Sequence, residues 1–288
     1  MTRIALATCA TLPDLDPDEQ LLLEPLRAHG VDAQAAVWDD PTVDWAAFDL
    51  VLIRSTWDYT PRRAEFVAWA RSVPRILNPA DVVAWNTDKH YLRDLAAAGV
   101  PVVPTRWIEP GQTADLPAGG RHVLKPAVGA GSVDAALFDL GVANDAQLAR
   151  AHAERLLAAG QTVMVQPYLE RIEERGETAL IFFGGEFSHC VTKGAMLADP
   201  RDLVSGLYKE EVVTRASASP EEMSVARRAL AAVPGGAAQL AYARVDLVPA
   251  HGGEPLLIEL ELTEPSLFLG KAPGSADRLA ALLAAALA

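Results

Sequence analysis

Apolar residues open the chain in short, unbroken runs. RIALATC (3–9) and DLVLIR (49–54) show no polar alternation, the pattern of strands covered on both faces, and residues 32–38 read as a strand between them. Between these runs, 18–30 predicts a helix stopped by Gly30, and 61–71 predicts another. Strands alternating with helices imply a parallel sheet with crossover helices, so residues 1–80 are expected to form a small parallel α/β domain. Asn78-Pro79 breaks the pattern, and a helical linker over 81–100 follows, its helix read over 80–98 and stopped by Gly99.

The pattern then changes. VPVVPTRWI is a strand punctuated by prolines, 111–120 is a loop, and RHVLKPA and VDAALFD are strands on either side of VGAGS. An Ala-rich helix over 144–159 precedes TVMVQPYLE, a strand running into a proline-containing connector. Residues 101–167 thus read as a compact α+β unit, and 168–288 as a second one. In the latter, 178–184 and 186–192 form a hairpin about Gly184-Gly185. A helix over 219–240 is interrupted by Pro-Gly-Gly at 234–236. Strands at 243–249 and 255–262 follow, and a closing helix runs over 274–288. There is no internal repeat.

Composition narrows the function. The 288 residues are half apolar, ample for a sizeable core in one large domain or two to three small ones. With 25 Lys+Arg against 38 Asp+Glu, the net charge is −13. That excludes wholesale nucleic-acid binding, which needs a basic surface, but leaves room for a polyphosphate held by a few local cations and a metal. Cys9 and Cys190 form no CxxC pair, and the histidines form no ligand pair, so neither a disulfide framework nor a zinc site is expected. The apolar run 4–10 is too short for a secretory segment, and the terminal AALLAAALA is too short to span a bilayer. A cytoplasmic location with no membrane partner is the expectation.

The segment 243–266, ARVDLVPAHGGEPLLIELELTEPS, carries the most chemistry. If Ala250 pairs with Pro255, Asp246 sits opposite Glu259 and Arg244 opposite Glu261. Alternation then puts these four on one face, and Val245, Leu247, Ile258, Leu260 and Leu262 on the core face. Two unit charges about 4 Å apart at an effective dielectric near 20 cost about 4 kcal/mol. Such a cluster is relieved by a hard cation such as Mg²⁺, or it is a solvated polar face with Arg244 as its salt-bridge partner. In LKPAVGAGS (124–132) a strand delivers Lys125, and Gly129 and Gly131 let a backbone approach a phosphate. The alternative is a glycine-bearing hairpin with a surface lysine. No P-loop is present.

QPYLE (166–170) and RGE (175–177) read either as a hinge marked by Pro167 or as an adenine contact through Tyr168 and Leu169, with Glu177 on ribose. RSTWDY (54–59) ends an apolar strand, where open α/β sheets bind ligands. Ser55, Thr56 and Trp57 are therefore candidate substrate contacts, although Trp57 is equally a candidate domain-interface anchor. Lys89, Lys193 and Arg215 stand between ligand contact and surface charge.

The order of these pieces resembles the ATP-grasp family across nearly the whole chain. It runs from the N-terminal unit through Lys89, Lys125 with VGAGS, QPYLE and Glu177 to Asp246 and Glu259-x-Glu261. Four stretches are further similar to the O-ureido-serine cyclo-ligases of cycloserine biosynthesis: DKHYLRDLAAAGVPVVPT, QPYLE…GET, FSHCVTKGAM and RVDLV…ELELTEPSL. The sequence departs from them at AVGAGS, where a bulkier, more polar lid loop is implied, and at RSTWDY.

The resemblance implies an α/β fold whose two α+β subdomains sandwich the nucleotide. It also implies an ATP-dependent carboxylate–amine ligase or cyclo-ligase working through a phosphorylated acyl intermediate in antibiotic biosynthesis. Lys89 and Lys125 would hold the ATP phosphates, and Gly129, Ala130, Gly131 and Ser132 would close over them. Gln166, Tyr168 and Leu169 would meet the adenine and Glu177 the ribose. Asp246, Glu259 and Glu261 would hold one or two Mg²⁺, with Lys193 and Arg244 offsetting charge on the transferred phosphoryl group. Arg215, Glu264 and Ser266 would face a small amino-acid-like substrate. A homodimer is compatible, though no segment marks an interface. An ATP-binding protein of the same fold without ligase activity is the alternative, against which Lys125, Asp246, Glu259 and Glu261 argue. A dinucleotide oxidoreductase is disfavoured because TCATLPDLD, not GxGxxG, follows the first strand.

Overall fold

A computed structural model describes residues 2–194, 207 and 212–287. The last two residues of FSHCVTKGAM and the final residue of the closing helix lie outside the described residues.

The first unit holds β1 (Thr2–Thr8), α1 (Pro17–Gln20), α2 (Leu23–Ala28), β2 (Val31–Val37), β3 (Leu50–Ile53), α3 (Arg63–Ser72) and β4 (Ile76–Leu77). Its sheet is parallel in the order β2-β1-β3-β4. The single helix expected over 18–30 is two, because Pro25 has no N–H to donate to the carbonyl of Leu21.

The linker is also split, into α4 (Ala80–Asn86) and α5 (Tyr91–Ala97). Between them the Lys89 amide leaves the helical ladder to donate to the Ala127 carbonyl at 2.8 Å.

The next unit comprises β5 (Arg106–Ile108), β6 (Arg121–Pro126), β7 (Ala136–Asp139), α6 (Ala143–Ala158) and β8 (Val163–Pro167). These strands form an antiparallel sheet ordered β5-β8-β6-β7. The strand expected from VPVVPTRWI is short, since Pro101 and Pro104 cannot donate to a ladder; upstream of β5 only Val102 makes an isolated bridge, to Leu257. Leu124, Val163 and Val165 pack under Ala149, Ala153 and Leu156 of α6, leaving Val123, Lys125 and Gln166 on the opposite face.

The last unit comprises α7 (Ile172–Arg175), β9 (Glu177–Phe183), β10 (Glu186–Lys193), β11 (Val213–Ala216), α8 (Pro220–Ala231), β12 (Tyr242–Pro249), β13 (Pro255–Glu261) and α9 (Ser275–Ala285). The sheet order is β11-β10-β9-β12-β13, antiparallel throughout. Gly184 and Gly185, both at positive φ, make the two-residue turn between β9 and β10. α8 stops well short of residue 240, ahead of the Pro-Gly-Gly at 234–236, and only a 3-10 turn, Ala237–Gln239, follows.

One face of this sheet, with Leu180, Phe182, Val245 and Leu260, buries Leu92 and Leu95 of α5 and Val225 and Ala229 of α8. The other face, with Ala179, Ile181 and Tyr242, packs on Leu279 and Leu283 of α9 and on Ile4, Leu6 and Leu26 of the first unit. Each fully buried Leu, Ile or Phe contributes about 1.5–3 kcal/mol. The first and last units therefore share a core and support each other.

On β12 the second face changes character: Tyr242 is packed, while Arg244 and Asp246 carry the charge beyond it. β13 is an edge strand, and its exposed ladder is met by side chains. Asn86 donates to Leu260 O (2.7 Å) and accepts from Leu262 N (2.8 Å), and Tyr91 Oη accepts from Leu260 N (2.9 Å). These bonds fix the linker, and with it Lys89, to the strand bearing Glu259 and Glu261.

The β12–β13 register differs from the sequence expectation at the hairpin end. Pro249, not Ala250, pairs with Pro255, and a β-bulge at Ile258 then brings Asp246 opposite Glu259 and Arg244 opposite Glu261. The bulge breaks the alternation, so Ile258 faces the cleft and not the core.

Candidate active site

A cleft of about 420 Å³ separates the antiparallel sheet of the second unit from that of the third. β6 delivers Val123 and Lys125 to one wall and β8 delivers Gln166, while Pro167, Tyr168 and Leu169 close the back. β9 brings Glu177, β10 Lys193, β12 Arg244, and β13 Ile258, Glu259 and Glu261 to the facing wall. The loop bearing Gly129, Ala130, Gly131 and Ser132 roofs it. Glu264, Ser266 and Trp57 line the end nearest the first unit.

The roof is anchored at both ends. Lys89 Nζ donates to Gly129 O at 2.6 Å, and Asp134 is held by Arg155 Nη2 at 2.6 Å, with His152 on its carbonyl at 3.0 Å. Between these points Gly131, Ser132 and Asp134 all adopt positive φ, and for the two non-glycine residues that conformation is uncommon.

The electrostatics are crowded. Lys89 pairs with Glu259 at 3.0 Å. Lys193 bridges Glu177 and Asp246, the latter at 2.8 Å. Arg244 clasps Asp246 at 2.9 Å and also contacts Glu261. Burial pushes the Lys89 ammonium down, but Glu259, with Glu261 and Glu264 behind it, outweighs this and holds it above its ordinary value. Burial likewise opposes ionisation of Asp246 and Glu259, yet Arg244 and Lys193 for the first, and Lys89 and Lys125 for the second, hold both below the usual carboxylate range.

Glu261 behaves differently. Burial, reinforced by Glu259 and Asp246, pushes it up to about 8 despite Arg244. Lys125 is depressed by burial and by Lys89, and its ammonium has no ion pair or hydrogen bond among the described residues. A half-buried lysine without a partner among the described residues on one wall, and a carboxylate short of positive charge on the other, suit a polyphosphate and a hard divalent cation.

Not every residue singled out in the sequence lies here. Ser55 and Thr56 are wholly buried away from the cleft. Ser55 Oγ donates to Glu19 at 2.6 Å and accepts from Asp16 N at 3.0 Å, because the strand end turns inward behind Arg54. Arg215 is exposed on the outer strand β11 and does not line the cleft. Asp246 is 1% exposed and committed to Arg244 and Lys193, so it backs the cleft wall without lining it. Among the described residues no three His, Cys, Asp or Glu side chains converge on one point that would hold a metal. Trp57 lines the cleft, and its Nε1 donates to Glu264 O at 2.8 Å, tying the first unit to the loop after β13.

Sequence reasoning missed several residues. Asp16, Asp18, Phe268 and Lys271 reach the cleft, and Asp18 accepts from Leu269 N (2.7 Å) and Gly270 N (2.8 Å). The acids of LPDLDPDE follow directly on β1, at the carboxyl end of a parallel strand, which was the available signal. The Asn86 clamp was signalled only by a polar residue ending the apolar run VVAWN.

Three comparisons bear on this arrangement. Residues 4–78 match a family model described as the N-terminal domain of D-cycloserine synthetase DcsG. The chain is 38% identical over 296 residues to the cycloserine biosynthesis protein DcsG of Streptomyces lavendulae, covering 98% of this chain and 97% of that protein. The crystal structure of D-cycloserine synthetase DcsG superposes with a TM-score of 0.87 at 37% identity, covering 99% of this chain and 100% of the other. At the level of fold alone, a RimK-domain ATP-grasp protein from Sphaerobacter thermophilus matches at TM-score 0.67 and 19% identity, over 99% and 98% of the two chains. D-alanine–D-alanine ligase from Bacillus anthracis, complexed with ATP, matches at 0.66 and 14%, over 100% and 97%.

Proposed function

The chain belongs to the DcsG family of ATP-grasp ligases, and from that premise we propose that it phosphorylates the carboxylate of a small amino-acid-like substrate and passes the activated carbonyl to a nitrogen. It is an ATP-dependent, C–N bond-forming ligase by family and fold. The relative's name points to cycloserine, and the sequence resemblance to O-ureido-serine as the first compound to try, with ring closure as the product-forming step.

The observation that carries the reading is the pairing across the cleft. Lys125 and Lys89 sit under a glycine-bearing roof, and Glu259 and Glu261 face them. On this reading Lys89 and Lys125 hold the phosphates and the 129–132 loop excludes water. The backbone at 168–169 meets adenine, with Glu177 toward the ribose. Lys193 and Arg244 compensate charge on the phosphoryl group, oriented by Asp246 behind them. Mg²⁺, one ion or two, is assigned to Glu259 and Glu261; when bound it supplies charge neutralisation at the phosphates. No protein nucleophile is required, because positioning and electrostatics carry such transfers. We further propose that 101–167 acts as the lid over 168–288, with 81–100 as the tether between 1–80 and both.

Release of ADP and phosphate from MgATP across amino acids, dipeptides and O-ureido-serine tests the reading. Stimulation by one of these compounds is expected. ATP binding without stimulation by any of them would favour a nucleotide-binding protein without ligase activity.

A further inference from the structure

One ionisable group in the cleft has no part in holding phosphate or metal. Glu264 lies at the end nearest the first unit, three residues past the end of β13, and its surroundings are built to fix it. Its backbone carbonyl accepts from Trp57 Nε1 at 2.8 Å. The next carbonyl, of Pro265, accepts from the buried Arg54 guanidinium, which itself stacks over Tyr242 with 4.6 Å to the ring centroid. The Glu264 carboxyl is hydrogen-bonded by Tyr59, a residue 2% exposed whose ring stacks on Phe66 at 4.6 Å. Strand end, aromatic shelf and loop thus hold one carboxyl against the cleft wall, where Glu264 remains partly accessible.

We propose that Glu264 is the proton acceptor for the nitrogen that attacks the activated carbonyl, with Tyr59 as its positioning residue. The inference rests on the ligase reading above. In the step, the C–N bond forms and the bond from the carbonyl carbon to the phosphate oxygen breaks. The nitrogen's proton passes to a Glu264 carboxylate oxygen, and phosphate leaves with the electron pair of the broken bond. A nitrogen that keeps its proton is a poor product-forming nucleophile, and Lys89, held protonated by Glu259, cannot accept one.

The charged groups around Glu264 suit the role. Burial raises it to about 7, whereas Tyr59, Lys89 and Arg244 favour its ionised form and Glu259 opposes it. A base near the operating pH is half available and still returns its proton readily.

The test measures C–N product per ADP with MgATP and O-ureido-serine. Glu264→Gln is expected to lower that ratio by about 100-fold, because the activated carbonyl still forms and is then lost to water. An unchanged ratio, or equal loss of ADP and product, overturns the proposal. Tyr59→Phe keeps the ring stack but removes a hydrogen bond to the ionised carboxylate. The acid limb of kcat/KM is therefore expected to move to higher pH, and an unmoved limb would assign Tyr59 a packing role only. If wild type fails to turn over O-ureido-serine, the substrate assignment falls, but the present inference is still decided by carbon NMR of glutamate-labelled, ligand-free protein. One carboxyl titrating near neutrality and missing from Glu264→Gln sustains it; its absence overturns it.

Discussion

Two charge clusters reach the segment that follows β13, and they have opposite fates. In one, Arg54 donates through Nε and Nη2 to Glu19 Oε1 at 3.0 and 2.6 Å, Ser55 donates to the other oxygen at 2.6 Å, and Arg54 also reaches Pro265 O. Both side chains are almost fully buried, and no solute reaches them. The cleft cluster of Lys89, Lys125, Lys193, Arg244, Asp246, Glu259 and Glu261 likewise sets basic side chains against carboxylates. It differs in what is left over: a lysine without a partner among the described residues, and a glutamate that burial pushes up to about 8. Buried charge by itself does not mark a site. Unspent valence facing a cavity does.

That contrast can be broken by substitution. Glu19→Leu is expected to have the largest effect, about 3–5 kcal/mol of stability, since it strands a buried guanidinium. Chemical denaturation reads it, and a loss below about 1 kcal/mol would mean the knot is as dispensable as a surface pair. Glu259→Gln should leave the melting temperature within a few degrees of wild type yet lower Mg²⁺-dependent turnover by about 100-fold, equivalent to about 2.7 kcal/mol of barrier. Full turnover would dissolve the distinction between the clusters.

A smaller, pH-linked effect sharpens it. Glu261 and Glu264 are raised to about 8 and about 7 from 4.5, chiefly by burial, so the folded protein binds more protons than the unfolded chain between those values. Their contribution to stability is therefore fully present below pH 4.5 and is lost as pH rises toward 7 and 8. A divalent cation in the cleft offsets that loss, so Mg²⁺ with nucleotide should raise the melting temperature more at pH 8 than at pH 6. An equal rise at both pH values would place the cation away from these carboxylates. Burial also raises Glu19, opposed by Arg54, but the added cation cannot reach it, so the difference isolates the cleft.

Much of this was legible in the sequence. Unbroken apolar runs marked β1 and β3, a Gly-Gly pair marked the β9–β10 turn, and two-residue periodicity put Arg244, Glu259 and Glu261 on one wall. The failures share a cause: contacts between parts of the chain far apart in sequence. Ser55 and Thr56 stand where a sheet of this kind binds ligands, and only the inward turn of Arg54 to Glu19, 35 residues away, removes them. Asp18 carries only the faint signature of an acid after a parallel strand, Tyr59 only its place in RSTWDY, and each acquires its role from a loop more than 200 residues later. The Pro249–Pro255 register could not be read from alternation, because the bulge that corrects it is silent in a pattern of apolar residues.

That bulge has a consequence for how the gene can change. Losing the codon for Ile258 would delete the extra residue and leave Asp246 opposite Glu259, with every carboxylate still on the cleft side. Losing the codon for Leu260, two positions on, would send Glu261 into the apolar layer against α5 and α8. Length variation at this strand is therefore tolerated at one position and ruinous at its near neighbour, and the hairpin tip at 251–254 is free to lengthen or shorten without moving the ligands of the reaction.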